Sequence, residues 1–197
     1  MIKKLKKEWN LKKEPNIEVS ENYRNVLSYF FSFPNQHIGL NDLSKYICSS
    51  KTSTKLTVNH LVKQGFIKKE VIGKAWRLSV DSSNKLMITK KIPYNLQLVY
   101  KSGIIDAVYD KVPNALAVIL FGSYRWGTDN ENSDIDIAVE VIDNESMRIK
   151  TLEVIEIGFR KRVTVNLHIF SRKKIDLNLF TNIANGIVLD GLLEVRP

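Results

Sequence analysis

From Val26 to Phe33 apolar side chains recur at helical spacing, and they do so again around Val58, Leu61 and Val62. The first pattern predicts a helix over residues 20–33, with Ser20 as its N-cap and Val26, Leu27, Phe30 and Phe33 as its apolar stripe. Pro34-Asn35 ends it. Asn41 is placed to cap a second helix carrying Leu43 and Ile47, and Ser49-Ser50 breaks the chain. A third helix is predicted over 52–64, with Gly65 as its stop. Two strands follow, over 66–72 and 75–80, around Gly73-Lys74. The polar run 81–84 reads as a linker. A helical segment is predicted over 95–112, stopped by Pro113.

Further on the period changes. Residues 115–121 are continuously apolar, as expected of a strand covered on both faces. From Asp134 to Glu140 the pattern alternates. Ile135, Ile137 and Val139 share one face; Asp134, Asp136, Ala138 and Glu140 share the other. Leu152, Ile155 and Phe159 recur at helical spacing, which predicts a core-packing helix over 143–160. Val163, Val165, Leu167 and Ile169 alternate again, predicting a strand over 162–170 with Asn166 and His168 on its other face. A last helix is predicted over 176–185.

Charge divides the chain. Residues 1–90 carry 17 Lys/Arg and 7 Asp/Glu, a net +10, and residues 91–197 carry 13 and 14, a net −1. That asymmetry points to a polyanion-binding half joined to a near-neutral one. Six lysines fall within the first 15 residues, among Leu5, Trp9 and Leu11. They read as a basic arm whose Trp9 packs on the body. The wholly apolar run 115–121 is far shorter than the roughly 18 residues that span a membrane, and no apolar signal region follows the basic start. The one cysteine, Cys48, excludes an intrachain disulfide and makes a reducing cytoplasm the simplest home. With no Cys/His cluster, structural zinc is not expected.

The chemistry concentrates between Val118 and Val139. Asp134 and Asp136, at i and i+2 on a strand, share a face with Cα atoms about 6.6 Å apart. That pair suits one or two hard cations, and Mg²⁺ favours one or two carboxylates plus substrate phosphates. Gly122-Ser123 follows a strand and opens a helix, where free backbone N–H groups and a missing Cβ favour phosphate.

Gly122-Ser123, ten intervening residues and Asp134-x-Asp136 resemble the signature of polymerase β-type nucleotidyltransferases. The small "minimal" nucleotidyltransferases of archaea and bacteria are the closest in pattern. The stretch from Ala184 to Leu189 resembles that family's final helix-turn-strand. The resemblance covers roughly residues 95–191. It implies a C-terminal domain with a small mixed sheet that binds an NTP with Mg²⁺ or Mn²⁺. Gly122, Ser123 and Arg125 would hold phosphate, and Asp134 and Asp136 would hold metal and carry catalysis. It also implies an antitoxin role with a HEPN-type toxin as partner or substrate. Two positions depart from the family: Trp126 stands where Arg often does, and Asn166 stands where a third metal-binding carboxylate is expected. Glu140 is about 13 Å beyond Asp136 along the strand and is no substitute.

Three short helices followed by a hairpin resemble a winged helix-turn-helix. The architecture expected is thus α/β (α+β), with a DNA-binding domain over 1–83 and a nucleotidyltransferase-like domain over 84–197. The third helix would present Thr52, Ser53, Lys55, Thr57 and Asn59 to double-stranded DNA, and Lys74 and Arg77 would charge the wing. A homodimer on two half-sites follows from the same resemblance. Two functions stand open. One is NMP transfer to a hydroxyl acceptor, without a membrane partner. The other is a weakly catalytic or non-catalytic DNA-binding regulator whose second domain binds nucleotide or a partner.

Overall fold

The computed structural model describes residues 20–195. The basic arm and the expected packing of Trp9 lie outside them. Helix α1 (Glu21–Ser32) starts where Ser20 accepts a hydrogen bond from the Tyr23 amide at 3.1 Å. Its buried side includes Tyr23, Val26, Leu27, Phe30 and Phe31. A two-residue strand β1 (Ile38–Gly39) leads into α2 (Leu40–Tyr46). Gly39 is the N-cap, with no side-chain bond, and Asn41 lies exposed inside the first turn rather than capping it. Helix α3 (Lys51–Lys63) is capped by Ser50, whose hydroxyl accepts from the Ser53 amide at 3.2 Å. The chain break expected at Ser49-Ser50 is therefore also a start signal.

Strands β2 (Ile67–Ile72) and β3 (Ala75–Val80) form the expected hairpin, and β1 joins β3 antiparallel on its other edge. Two residues are too few to carry a period, so β1 left no pattern in the sequence. The segment 81–84 is an ordered turn. Asp81 accepts from the Ser83 amide and hydroxyl, and Asn84 donates to the Gln64 carbonyl.

The helical segment expected over 95–112 is two helices, α5 (Lys91–Lys101) and α6 (Ile104–Lys111), preceded by the single turn α4 (Leu86–Thr89). Gly103 separates them at φ +76°, a conformation that ends a helix and that glycine tolerates. Then come β4 (Ala117–Phe121), a five-residue helix α7 (Gly122–Trp126), β5 (Ile135–Glu140), β6 (Arg148–Ile157), β7 (Arg160–Phe170), α8 (Leu177–Ala184) and β8 (Ile187–Gly191). The sheet order is β6-β7-β5-β4-β8; β5 and β7 run parallel and the other neighbours antiparallel.

The helix expected over 143–160 is strand β6. Its β-branched Ile149, Thr151, Val154, Ile155 and Ile157 favour a pleated surface. Two register shifts against β7, between Thr151 and Val154 and between Ile155 and Ile157, break the alternation. Those irregularities mimic a helical period. Gly158, at φ +59°, turns the chain directly into β7.

The buried apolar residues form three clusters. One joins α1, α2, α3 and the first sheet, and draws in Leu86 and Met87. The second packs α5, α6 and Tyr124 against Ile135, Ile137 and Val139 and the matching side of β7. The third lies on the opposite face, where Ile183 of α8 covers Ala117, Ile119 and Ala138. The tip of the β6–β7 hairpin reaches the first cluster. Phe159 packs there, with its ring 5.5 Å from that of Tyr46.

Gly158 is the tight point of this joint, because a Cβ there would collide with the Tyr94 hydroxyl and strain a positive φ. Gly158→Ala is expected to destabilise the protein by about 1–3 kcal/mol, the usual cost of one such strained residue. Urea unfolding of the purified variant measures it; an unchanged midpoint would mean the hairpin tip is not held there.

Candidate active site

Two structures position the site: the sheet and a clamped loop. Between α7 and β5 the chain runs from Gly127 to Asp134 with little regular structure. A buried polar network holds it. Lys91 and Asp129 form an ion pair at 3.2 Å with side-chain exposures of 0% and 4%. Asn95 donates from Nδ2 to Asp129 Oδ1 at 2.7 Å and to the Tyr124 carbonyl at 3.1 Å. Arg160 donates to the Tyr124 hydroxyl at 2.8 Å and to the Ser133 carbonyl. Burial pushes the Lys91 pKa down and the Asp129 pKa up, and the attraction between the two charges opposes both shifts. None of this network was foreseen from the sequence. Lys91, Asp129 and Arg160 were not singled out there.

With the loop held, Gly122 and the carboxylates meet. Gly122 adopts φ +68°, and a Cβ on it would lie 2.8 Å from Asp136 Oδ2. Only glycine lets the backbone approach Asp136 so closely. Ser123 follows in the first turn of α7, and its carbonyl accepts from the Thr128 amide at 3.1 Å.

Across the sheet the register aligns Phe121, Asp136, Asn166 and Thr151 on β4, β5, β7 and β6. One step along, Ala138, His168 and Ile149 align. Asp134 sits just before β5. Asn166 donates from Nδ2 to Asp134 Oδ2 at 3.3 Å, and Thr151 donates to Asn166 Oδ1 at 3.4 Å. His168 places Nε2 3.0 Å from Asp136 Oδ1, with its ring edge-on to Phe121 at 5.0 Å. Its Nδ1 is buried without a hydrogen-bond partner. The expected face is therefore assembled, with Asn166 beside both aspartates. The contact of His168 with Asp136 was not foreseen, although its place two residues after Asn166 on an alternating strand put it on the right face.

The donor set suits one hard divalent cation brought with phosphates. It has two carboxylates, an amide, and a glycine backbone close to one carboxylate. It does not provide a third carboxylate. Among the described residues, no group of three or more His, Cys, Asp or Glu side chains is disposed to hold a metal ion. Glu140 is committed elsewhere, in a bidentate pair with Arg172 at 2.8 and 2.9 Å.

Arg125 donates from Nε to the Asn185 carbonyl at 2.7 Å, and its guanidinium lies 3.9 Å from the centre of the Trp126 ring. It ties α7 to the C-terminus of α8 and flanks Ser123.

On α3, Thr52 and Lys55 are exposed and Ser53 and Asn59 half-buried. Thr57 differs from expectation. It is buried, and its hydroxyl accepts from Asn22 Nδ2 at 2.7 Å, because its position shares the α1-facing side with Thr54, Val58 and Leu61. Leu56, 59% exposed, takes its place on the outer surface. Lys74 is exposed at the hairpin turn, and Arg77 pairs loosely with Glu70 at 3.7 Å. Lys55 and Lys69 approach the Trp76 ring at 5.5 and 4.3 Å, joining α3 to the hairpin.

Residues 104–190 match the family model described as polymerase beta, nucleotidyltransferase. A 48-residue stretch, 24% of the chain, is 44% identical to the protein adenylyltransferase MntA of Shewanella oneidensis. That match covers 34% of the relative, so the chain spans about a third of the length of the curated protein it matches. Both findings support a nucleotidyltransferase-type domain.

Asn166→Asp would set a third carboxylate against Asp134. Without metal it should lower stability at neutral pH by about 1 kcal/mol or more, the scale of two like charges at this range. Mg²⁺ or Mn²⁺ should restore the loss and stabilise the variant more than the parent. Thermal melts with and without each ion report this. A variant indifferent to both ions would remove Asn166 from the metal-facing position.

Proposed function

We propose that the C-terminal domain transfers a nucleoside monophosphate from an NTP to a protein hydroxyl, and does so slowly. The observation that carries this reading is the convergence of Gly122, Asp134 and Asp136 on one side of the sheet. The named activity of the relative, protein adenylylation, supports a protein as acceptor. Asp134 and Asp136 would hold a divalent cation, Mg²⁺ or Mn²⁺, which neutralises phosphate charge when bound. Ser123, nearby backbone amides and Arg125 would bind the phosphates. His168 would orient Asp136 by donating to its Oδ1, as outer-shell partners orient ligating carboxylates. The acceptor oxygen would bond to the α-phosphorus as the bond to the pyrophosphate oxygen breaks. The hydroxyl proton would go to water, since the Asn166 amide is not a general base.

Asn166 decides how fast this runs. It brings an amide but no charge, with Nδ2 toward Asp134 and Oδ1 toward Thr151. The missing carboxylate should cost several kcal/mol of transition-state stabilisation, or roughly a hundredfold or more in rate at about 1.4 kcal/mol per tenfold. The same residue favours the second reading, a regulator that binds nucleotide without using it. The N-terminal unit would supply DNA binding in either case. Its order of helix, strand, two helices and hairpin, and the exposed Thr52, Lys55 and Lys74, support a winged helix on duplex DNA. A HEPN-type toxin as partner and an antitoxin role rest on the family resemblance.

A nucleoside triphosphate with Mg²⁺ should raise the melting temperature, since a ligand bound only to the folded state stabilises it. Asp134→Ala with Asp136→Ala should abolish the metal-dependent part. An equal shift in the double variant would remove the site from this face. Labelled NTP offered with a purified HEPN-type protein tests transfer, and a gain for Asn166→Asp separates slow enzyme from regulator.

Duplex DNA should bind with an affinity that falls steeply with salt. Lys55→Ala and Lys74→Ala should each weaken binding and reduce the salt slope by about 1. Full-length protein that ignores DNA at low salt would leave the N-terminal unit as a protein-contact module.

A further inference from the structure

Trp126 stands where the family often carries arginine, and 52% of it is exposed. It sits on the wall of a groove of about 600 Å³ between the α7 loop and the N-terminal unit. The apolar part of the lining is Pro34, Met87, Ile88 and Trp126, with Ile88 64% exposed. Asn35, Thr128 and Asn130 bring donors and acceptors to the rim. The volume is within the range of small-molecule sites, and an apolar lining with a few polar groups is their usual chemistry.

Charge narrows the occupant. No lysine or arginine lines the groove, and the one acid that does, Asp129, is already paired with Lys91. A phosphate chain finds no cationic side chain there. A neutral, flat group fits better. The indole is also braced for stacking. The Arg125 guanidinium lies 3.9 Å from the Trp126 ring centre, and Arg125 is itself anchored on the Asn185 carbonyl.

Position supplies the link to the site. Trp126 follows Ser123 by three residues in α7, so the two side chains are neighbours about 5–6 Å apart at Cβ. We propose that this groove takes the nucleobase of the NTP, stacked on Trp126, while the phosphates lie at Gly122-Ser123. The inference rests on the phosphate-binding reading above and adds a base subsite to it. Base stacking on an aromatic tolerates any base, so discrimination among the four falls to Asn35, Thr128 and Asn130.

The test uses full-length protein with Trp9→Phe and Trp76→Phe, so that Trp126 is the one indole. ATP, GTP, CTP, UTP and inorganic tripolyphosphate are each titrated with Mg²⁺, by fluorescence and by calorimetry. The nucleotides should quench Trp126, and tripolyphosphate should bind without quenching. Trp126→Ala should weaken nucleotide binding about tenfold or more, leave tripolyphosphate binding unchanged, and melt like the parent. Trp126→Phe should recover most of the affinity. If Trp126→Ala binds all four nucleotides as the parent does, with tripolyphosphate binding intact, the base subsite is wrong while the phosphate site stands. If nucleotides bind and quench but tripolyphosphate does not bind, the groove stands and the phosphate site is wrong. If none of the five binds, both fall.

Discussion

The buried ion pair between Lys91 and Asp129 is the contact on which the site geometry depends. Two charges at 0% and 4% side-chain exposure are costly to desolvate, and that cost is offset only when each finds its partners. Here they do. Lys91 meets the carboxylate, Asn95 donates to the same carboxylate, and Asn95 also reaches the Tyr124 carbonyl inside α7. The pair lies between α5 and the loop leading to Asp134. A salt bridge of this kind is weak support for net stability, but it is stringent about position, because a displaced loop would strand a buried charge. A loop with little regular structure thus delivers Asp134 to the sheet in one register.

Most of this architecture could be read from the chain, and the failures have physical causes. Continuous apolarity located β4, alternation located β5 and β7, and Ser20 and Asp176 stand as N-caps in the structure as serine and aspartate often do. Strand β6 was misread because its two register shifts disrupt the period of two that identifies a strand. The break at Gly103 was missed because apolar spacing continues across it. On the site face, alternation put Asp134 and Asp136 together, and the family resemblance put Asn166 at the third position, which the register of β5 and β7 places beside them. The Lys91–Asp129–Arg160 network followed from neither, since a lysine 38 residues from its aspartate leaves no local pattern. Thr57 was misplaced although its spacing puts it with Thr54, Val58 and Leu61; its polar type concealed a buried position whose partner, Asn22, lies 35 residues away.

The site itself holds a balance of charge. Asp134 and Asp136 share one face, and their side-chain partners are Asn166 and His168, neither of them acidic. An amide at the third position adds no charge to the two aspartates. On the proposed function, the same amide would hold a cation less tightly than a carboxylate and could not act as a base. Stability without metal and catalytic power with it would, on that proposal, be opposed at this single residue.

That residue also sits on the strand that leads out of the hairpin tip packed on the N-terminal unit. β7 begins next to Phe159, which packs beside Tyr46 in the first core, and Tyr46 belongs to α2, which packs beside α3. A few residues further along, β7 presents Asn166 and His168 to the aspartates. Arg160, at the start of β7, bonds Tyr124 and the carbonyl of Ser133 just before Asp134. One strand thus carries an anchor in the N-terminal core, a bond to the clamped loop and two side chains of the site. Because packed interiors deform little, the N-terminal unit and the face bearing Asp134 and Asp136 share a frame through β7, and the groove beside Trp126 lies at the seam between them.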